Sequence, residues 1–237
     1  GLGDVYKRQM NKLARHLIAI TAGAITGTAL YHLTKKRESS PKDPDALKMS
    51  GTRTIETERL ILRQFDIEDA EAMYRNWASD PEVTRFLQWQ PHIDQDETEE
   101  ILESWIERYG EGDYYNWLIE LKELGEPIGS ISVVSQDNRA RRAHIGYCLG
   151  RAWWHKGIMS EALAAVISYL FSEGYLRIES RHNVNNPHSG EVMKKCGMTY
   201  EGTFKGYEWD NSGIGDAAFY SILKEDYKGY KKGGDCQ

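Results

Sequence analysis

The stretch that most restricts the fold runs from Ala143 to Gly174. It opens with a β-like run, Ala143 to Leu149, passes through a glycine-bounded loop, Gly150 to Gly157, and enters an apolar window of helical period. In that window Leu163, Val166, Ile167 and Leu170 fall at i, i+3, i+4 and i+7, and Gly174 closes it. A helix with such a stripe must bury it against another element, and the alternation of short β-like runs with helical windows from Arg59 onward makes this an α/β or α+β pattern.

The flanking segments supply the other elements. Leu60 to Arg63 reads as a first strand and Asp66 to Trp77 as a helix, with Ile67, Ala70, Met73, Tyr74 and Trp77 at helical spacing. A second helix is expected over Thr98 to Tyr109, burying Ile101, Leu102, Trp105 and Ile106. Trp117 to Leu121 and Ile128 to Val134 form a hairpin through Gly125-Glu126-Pro127. Tyr175 to His182 continues as strand. Asn186 and Pro187 then suit the N-cap and first turn of a helix ending at Gly197. Thr199 to Tyr207 and Ala217 to Leu223 complete the strands, joined by a turn over Trp209 to Gly213. About seven strands and four helices, only some of them alternating, predict an α+β fold with a mixed sheet.

Charge is unevenly placed. Residues 1–48 hold nine Lys/Arg against four Asp/Glu, leaving twenty-one against thirty-two in the rest, a body of net −11. An acidic body argues against a nucleic-acid polymer as partner and favours cationic amines. Cys148, Cys196 and Cys236 are odd in number and far apart, which suggests neither disulfides nor zinc, and the seven histidines form no ligand cluster, so no metal is expected. Residues 1–9 precede the first methionine and read as a non-native leader; residues 10–48 form an apolar extension and polar linker, and residues 49–237 the domain. The uncharged stretch 16–34 reaches the minimum length of a membrane span, but its threonines, glycines and two histidines weaken it. Membrane contact there is the less favoured reading, and a cytoplasmic protein is expected.

The Gly150 to Gly157 loop sits directly before a helix, whose first N–H groups and dipole attract an anion such as a diphosphate. Three motifs in order give this loop a context: Thr57-Glu58-Arg59-Leu60-Ile61-Leu62-Arg63, Trp154-His155-Lys156-Gly157-Ile158-Met159-Ser160-Glu161-Ala162, and Asn186-x-x-Ser189-x-x-Val192-x-x-Lys195-x-Gly197-Met198. Together they resemble the GNAT family of N-acetyltransferases, closest to the branch acting on N-terminal alanine or serine of ribosomal proteins. The resemblance spans nearly all of residues 54–227.

It implies a GNAT fold whose sheet splays between the strands at Ala143 to Leu149 and Tyr175 to His182, with acetyl-coenzyme A as co-substrate in the gap. Tyr147, Cys148 and Leu149 would then pair with pantetheine amides, and His155, Lys156, Gly157, Ile158, Met159 and Ser160 would cradle the diphosphate. Asn186 and Ser189 would also hold the cofactor. Trp154 and Met159 depart from the family's usual Gln or Arg and Gly or Ala, a change that backbone donors tolerate.

Acetyl transfer needs an uncharged amine. His144 stands where related sequences often carry a carboxylate, and a histidine is a competent base near neutral pH, though a strand-edge histidine is more often solvated than catalytic. Ser189 is the first choice to protonate the leaving thiolate, with Tyr147 and Tyr200 behind it, and the oxyanion would meet a backbone N–H near Tyr147 or Cys148. Cys148 itself reads as a structural cysteine. By the resemblance, Phe86, Trp89 and His92 would lie where the family builds its acceptor pocket, and the acidic run from Asp94 to Glu103 either steers a basic peptide or, more often for such a run, is a solvated helix face. The expected acceptor is the N-terminal amine of a basic protein. A small amine such as an aminoglycoside, polyamine or amino acid is the alternative, and a non-catalytic acyl-coenzyme A-binding module is the third.

Overall fold

In a computed structural model, described over residues 46–229, the helix beginning after Gly157 governs the architecture. This helix, Ile158–Glu173, buries Leu163, Val166, Ile167 and Leu170 completely. Each such side chain contributes about 1.5 to 3 kcal/mol on leaving water. The expectations for residues 1–45, including the leader and the 16–34 stretch, lie outside the described residues. Among the described residues no helix is long and apolar enough to cross a membrane, and no group of three or more His, Cys, Asp or Glu is placed to hold a metal.

One mixed sheet carries the fold. Its strands are β1 (Ile55–Glu56), β2 (Leu60–Arg63), β3 (Asn116–Leu121), β4 (Glu126–Asp137), β5 (Arg142–Leu149), β6 (Arg177–Asn183), β7 (Thr199–Asp210) and β8 (Gly213–Leu223). They lie in the order β1-β2-β3-β4-β5-β6-β8-β7. Every pairing is antiparallel except β5 with β6. The helices are α1 (Ala70–Met73), α2 (Pro81–Thr84), α3 (Gln95–Glu107), α4 (Ile158–Glu173) and α5 (Pro187–Lys195). Ile145, Ile178 and Trp117 join α4 in the larger core; Leu118 joins Met73, Trp77 and Leu102 in a second, smaller one.

Several boundaries differ from expectation for local reasons. The Asp66 to Trp77 helix is broken into a 3-10 turn at Ile67–Asp69, α1, and a π turn at Tyr74–Ala78. Trp77 and Ala78, in the wider turn, are buried, whereas Ile67, in the 3-10 turn, is exposed. Helix α3 starts three residues before Thr98, at Gln95, because the Asp94 carboxylate accepts from the Glu97 N–H at 2.9 Å while Glu97 accepts from Ile93 N–H. The acidic run is thus first a capping device. In the β3–β4 hairpin the reversal falls at residues 122–125, with Gly125 left-handed (φ +61°), and Pro127 stands inside β4 near its start, where a missing N–H is tolerated. Tyr175 precedes β6 instead of starting it, its N–H returning to the Leu170 carbonyl behind Gly174. β7 and β8 are both longer than read, so the turn shrinks to Asn211 and Ser212, tied by the Asp210 carboxylate. At the N-terminal side, Leu47 packs on the core and Lys48 N–H donates to Glu173 O.

The topology creates one opening. β5 and β6 pair only through Arg142↔Arg177, Ala143↔Ile178 and His144↔Glu179, after which both strands run on unpaired with each other. The splay falls where the resemblance implies it.

Candidate active site

A cavity of about 740 Å³ opens at this splay. Its walls come from the unpaired end of β5, the loop into α4, the start of α5 and the segment following α2. Ile145 O accepts from Ser180 Oγ at 2.8 Å, so the Ile145 backbone edge faces β6. By the two-residue period of a strand, the Tyr147 and Leu149 edges face the same gap, whereas Cys148, opposite Ser130, turns its backbone toward β4. Of the three residues expected to meet a pantetheine arm, two therefore offer backbone to the gap.

The loop into α4 is held by local constraints. Gly150 must be glycine, because a Cβ there would stand 2.5 Å from Asn76 O and 2.7 Å from the Trp153 ring. A 3-10 turn at Arg151–Trp153 follows, and the Trp154 indole N–H donates to Leu149 O at 2.7 Å, so the atypical Trp154 pins the loop to the end of β5. His155 and Gly157 both adopt left-handed backbone, with φ of +61° and +72°. Gly157 is the N-cap of α4 and supplies no side-chain bond, which leaves the N–H groups of Ile158, Met159 and Ser160 directed out of the helix end. All three residues line the cavity, and the dipole of a sixteen-residue helix adds positive potential there.

The expected site residues are partly brought together. Tyr147, Cys148, Leu149, His155, Gly157, Ile158, Met159, Ser160, Asn186, Ser189 and Phe86 all line the cavity; Lys156, Trp89, His92 and His144 do not. The Lys156 carbonyl accepts from Arg59 Nη1 at 2.9 Å. His92 is buried, its Nδ1 2.8 Å from Thr98 Oγ1 and its ring against Trp89, so both residues secure the segment between α2 and α3. Asn186 takes the N-cap position of α5 with Pro187 in the first turn, as expected, but its side chain makes no capping bond and lines the cavity.

His144 is a buried residue and not a solvated strand-edge one. Arg181 Nη1 donates to its Nε2 at 3.0 Å and its Nδ1 faces Glu179 at 3.6 Å. A guanidinium only donates, so the lone pair that a base would use is already occupied. Arg181 in turn binds Glu208 at 2.6 and 2.7 Å. His144 beside the Glu179 carboxyl, the hydrogen bond from Arg177 and the Arg142 charge hold that carboxyl down to about 2 against the opposing effect of burial. Its ordinary value is 4.5, so the folded chain binds this proton more weakly than the unfolded one. Glu179 therefore adds its stability in full above about pH 4.5 and loses it as the pH falls toward 2. Glu179→Gln is expected to flatten the fall in urea midpoint across that window, while wild type shows it in full.

Tyr147 and Ser189 meet across the gap: the Tyr147 hydroxyl lies 3.0 Å from both Ser189 O and Ser189 Oγ. Burial pushes the Tyr147 hydroxyl well above its usual value, the Ser189 bond opposing this only in part. Burial likewise raises the Cys148 thiol, which keeps it protonated near neutral pH and unsuited to nucleophilic attack.

Sequence reasoning missed His188 on α5 and Glu82, Val83, Arg85 and Leu87 near α2, and named Val192 and Lys195 in the third motif without giving them a place in the site. The α5 trio recurs with Ser189 at helical spacing, a signal that was available once Ser189 was singled out. The His188 ring stands edge-on to His155, with centroids 4.6 Å apart, so the two histidines bridge α5 and the α4 loop beside the cavity.

Residues 59–199 match the acetyltransferase (GNAT) domain family. The uncharacterized N-acetyltransferase p20 of Bacillus licheniformis is 34% identical over 177 residues, covering 74% of this chain and 99% of the relative. The [ribosomal protein uS5]-alanine N-acetyltransferase of Escherichia coli is 28% identical over 166 residues, covering 65% and 81%. Among solved structures, a GNAT-family acetyltransferase from Bacillus anthracis superposes with a TM-score of 0.64 at 27% identity, covering 73% of this chain and 99% of that one.

Proposed function

The chain belongs to the GNAT family of N-acetyltransferases, and from that premise we propose that it moves the acetyl group of acetyl-coenzyme A directly to a protein N-terminal α-amine. The observation that carries this reading is the splay at His144↔Glu179 opening onto the uncapped start of α4. A diphosphate fits the N–H groups of residues 158–160, with Lys195 and His188 nearby on α5. A pantetheine arm fits between β5 and β6, where the Tyr147 backbone and the Leu149 N–H face it, the Leu149 carbonyl already accepting from Trp154. The thioester carbonyl then meets the Tyr147 N–H, which stabilises the oxyanion as the amine adds to the carbonyl carbon. The departing sulfur takes a proton from the Ser189 and Tyr147 pair, and the proton that the amine nitrogen loses as the amide forms restores that pair.

Acceptor chemistry favours an α-amine. Such a group titrates at about 8 and lysine at about 10.4, so near pH 7 roughly a tenth of an α-amine is neutral and almost none of a lysine. With the His144 lone pair engaged by Arg181, a substrate that deprotonates readily suits this site. The acidic body, net −11 outside residues 1–48, attracts a basic protein. The Escherichia coli relative that acts on an alanine of ribosomal protein uS5 supports the same class.

The test is thiol release from acetyl-coenzyme A with a panel of acceptors. Peptides bearing N-terminal Ala or Ser are expected to react, and free amino acids, polyamines and aminoglycosides to remain inert. Turnover of those small amines alone would overturn the protein-substrate reading; coenzyme A binding with no acceptor consumed would overturn catalysis itself.

A further inference from the structure

Arg59 lies outside the cavity wall, yet it reaches the loop that forms one. Its Nε donates to Glu161 Oε2 at 2.6 Å, its Nη1 to Lys156 O at 2.9 Å and its own backbone N–H to Glu161 Oε1 at 2.9 Å. Thr57 Oγ1 donates to the same Oε1 at 2.6 Å. Four bonds thus converge on the first turn of α4 and on the peptide between the two left-handed residues, His155 and Gly157. His155 carries a Cβ, and a left-handed conformation in such a residue persists only where its surroundings hold it. The nearest heavy atom to a Cβ built on Gly157 would be Arg59 Nη2, 3.7 Å away, so the guanidinium lies alongside the loop.

We propose that Arg59 is a positioning residue for the acyl donor: by fixing Glu161 and the Lys156 carbonyl together, it sets the backbone that aims the α4 N–H groups at the diphosphate. This rests on the acetyl-coenzyme A reading above. The planar guanidinium bonds a carboxylate and a carbonyl at once, which an ammonium on a flexible stem does not reproduce. The ion pair is also half-exposed on the arginine side, so its part in global stability is small and its part in loop geometry is what a variant removes.

Two donors separate positioning from general damage: acetyl-coenzyme A, and S-acetylpantetheine, which has the reactive arm without the diphosphate. Arg59→Gln and Arg59→Lys are expected to raise KM for acetyl-coenzyme A about tenfold or more with kcat held within about twofold. Kinetics with S-acetylpantetheine should match wild type. Equal losses with both donors, or an unchanged KM for acetyl-coenzyme A, would overturn the positioning role. Should wild type itself turn over no acceptor, the catalytic reading fails separately, and calorimetric titration of coenzyme A into wild type and Arg59→Gln still decides the matter: equal affinities overturn the role, and weaker binding by the variant supports it.

Discussion

Replacing Gly157 by aspartate should weaken coenzyme A binding about a hundredfold or more while the melting temperature moves by only a few degrees. The backbone at Gly157 is left-handed, φ +72°, a region that Asp and Asn enter more readily than other residues with a Cβ. Space is not the obstacle, since the first atom that a Cβ meets is 3.7 Å away. The left-handed backbone keeps an aspartate here out of the usual N-cap geometry and costs about 1 to 2 kcal/mol of strain, which accounts for the few degrees. What changes is charge. A carboxylate about 4 Å from a bound phosphate is opposed by roughly 4 kcal/mol at an effective dielectric of about 20, and the neighbouring Arg59 offsets part of this. A net of about 2.7 kcal/mol corresponds to the hundredfold loss. Gly157→Asn, with the same shape and no charge, isolates the electrostatic part and should lose less than about tenfold. Calorimetric titration of coenzyme A into both variants checks this; equal affinities for Asp and Asn would show that no phosphate lies at this helix end.

The chain announced its fold where structure is local and periodic. The i, i+3, i+4, i+7 stripe of α4, the strand before it and the glycine at its entrance are settled within about thirty residues, and each stands where the pattern put it. The site was legible to the extent that it is built from that unit, from Tyr147 to Ser160, with Asn186 and Ser189 added by motif. Long-range geometry was not legible. Nothing near Arg59 in sequence signals that it bonds Glu161, 102 residues on. Trp89 and His92 lie in an irregular segment whose path is set by tertiary bonds, among them His92 N–H to Ala78 O and Asn211 Nδ2 to Trp89 O, and no periodic rule reaches those. His144 is a different case. Strand alternation sets it on the face opposite Tyr147, three residues on, and Arg181 on β6 then takes its lone pair.

Ser189→Ala should lower kcat about a hundredfold with KM for acetyl-coenzyme A little changed, and Tyr147→Phe should fall in the same range. The hydroxyls lie 3.0 Å apart at the splay, close enough for one to relay a proton to the other as it donates to the departing sulfur. Groups that act as a unit are not additive, so the double variant is expected to be no slower than the worse single one. The pH profile follows from the same geometry. Burial raises the Tyr147 hydroxyl above its usual value near 10, so the donor stays protonated through the ordinary working range and is lost only above it. The acceptor amine does the opposite, becoming reactive as it loses its proton near pH 8. kcat/KM for the acceptor should therefore rise through about pH 8 and hold level to about pH 10. Both single variants keeping kcat within about threefold of wild type would remove these two hydroxyls from the proton path, and an alkaline fall well below pH 10 would assign the acid to a group with a lower pKa than Tyr147.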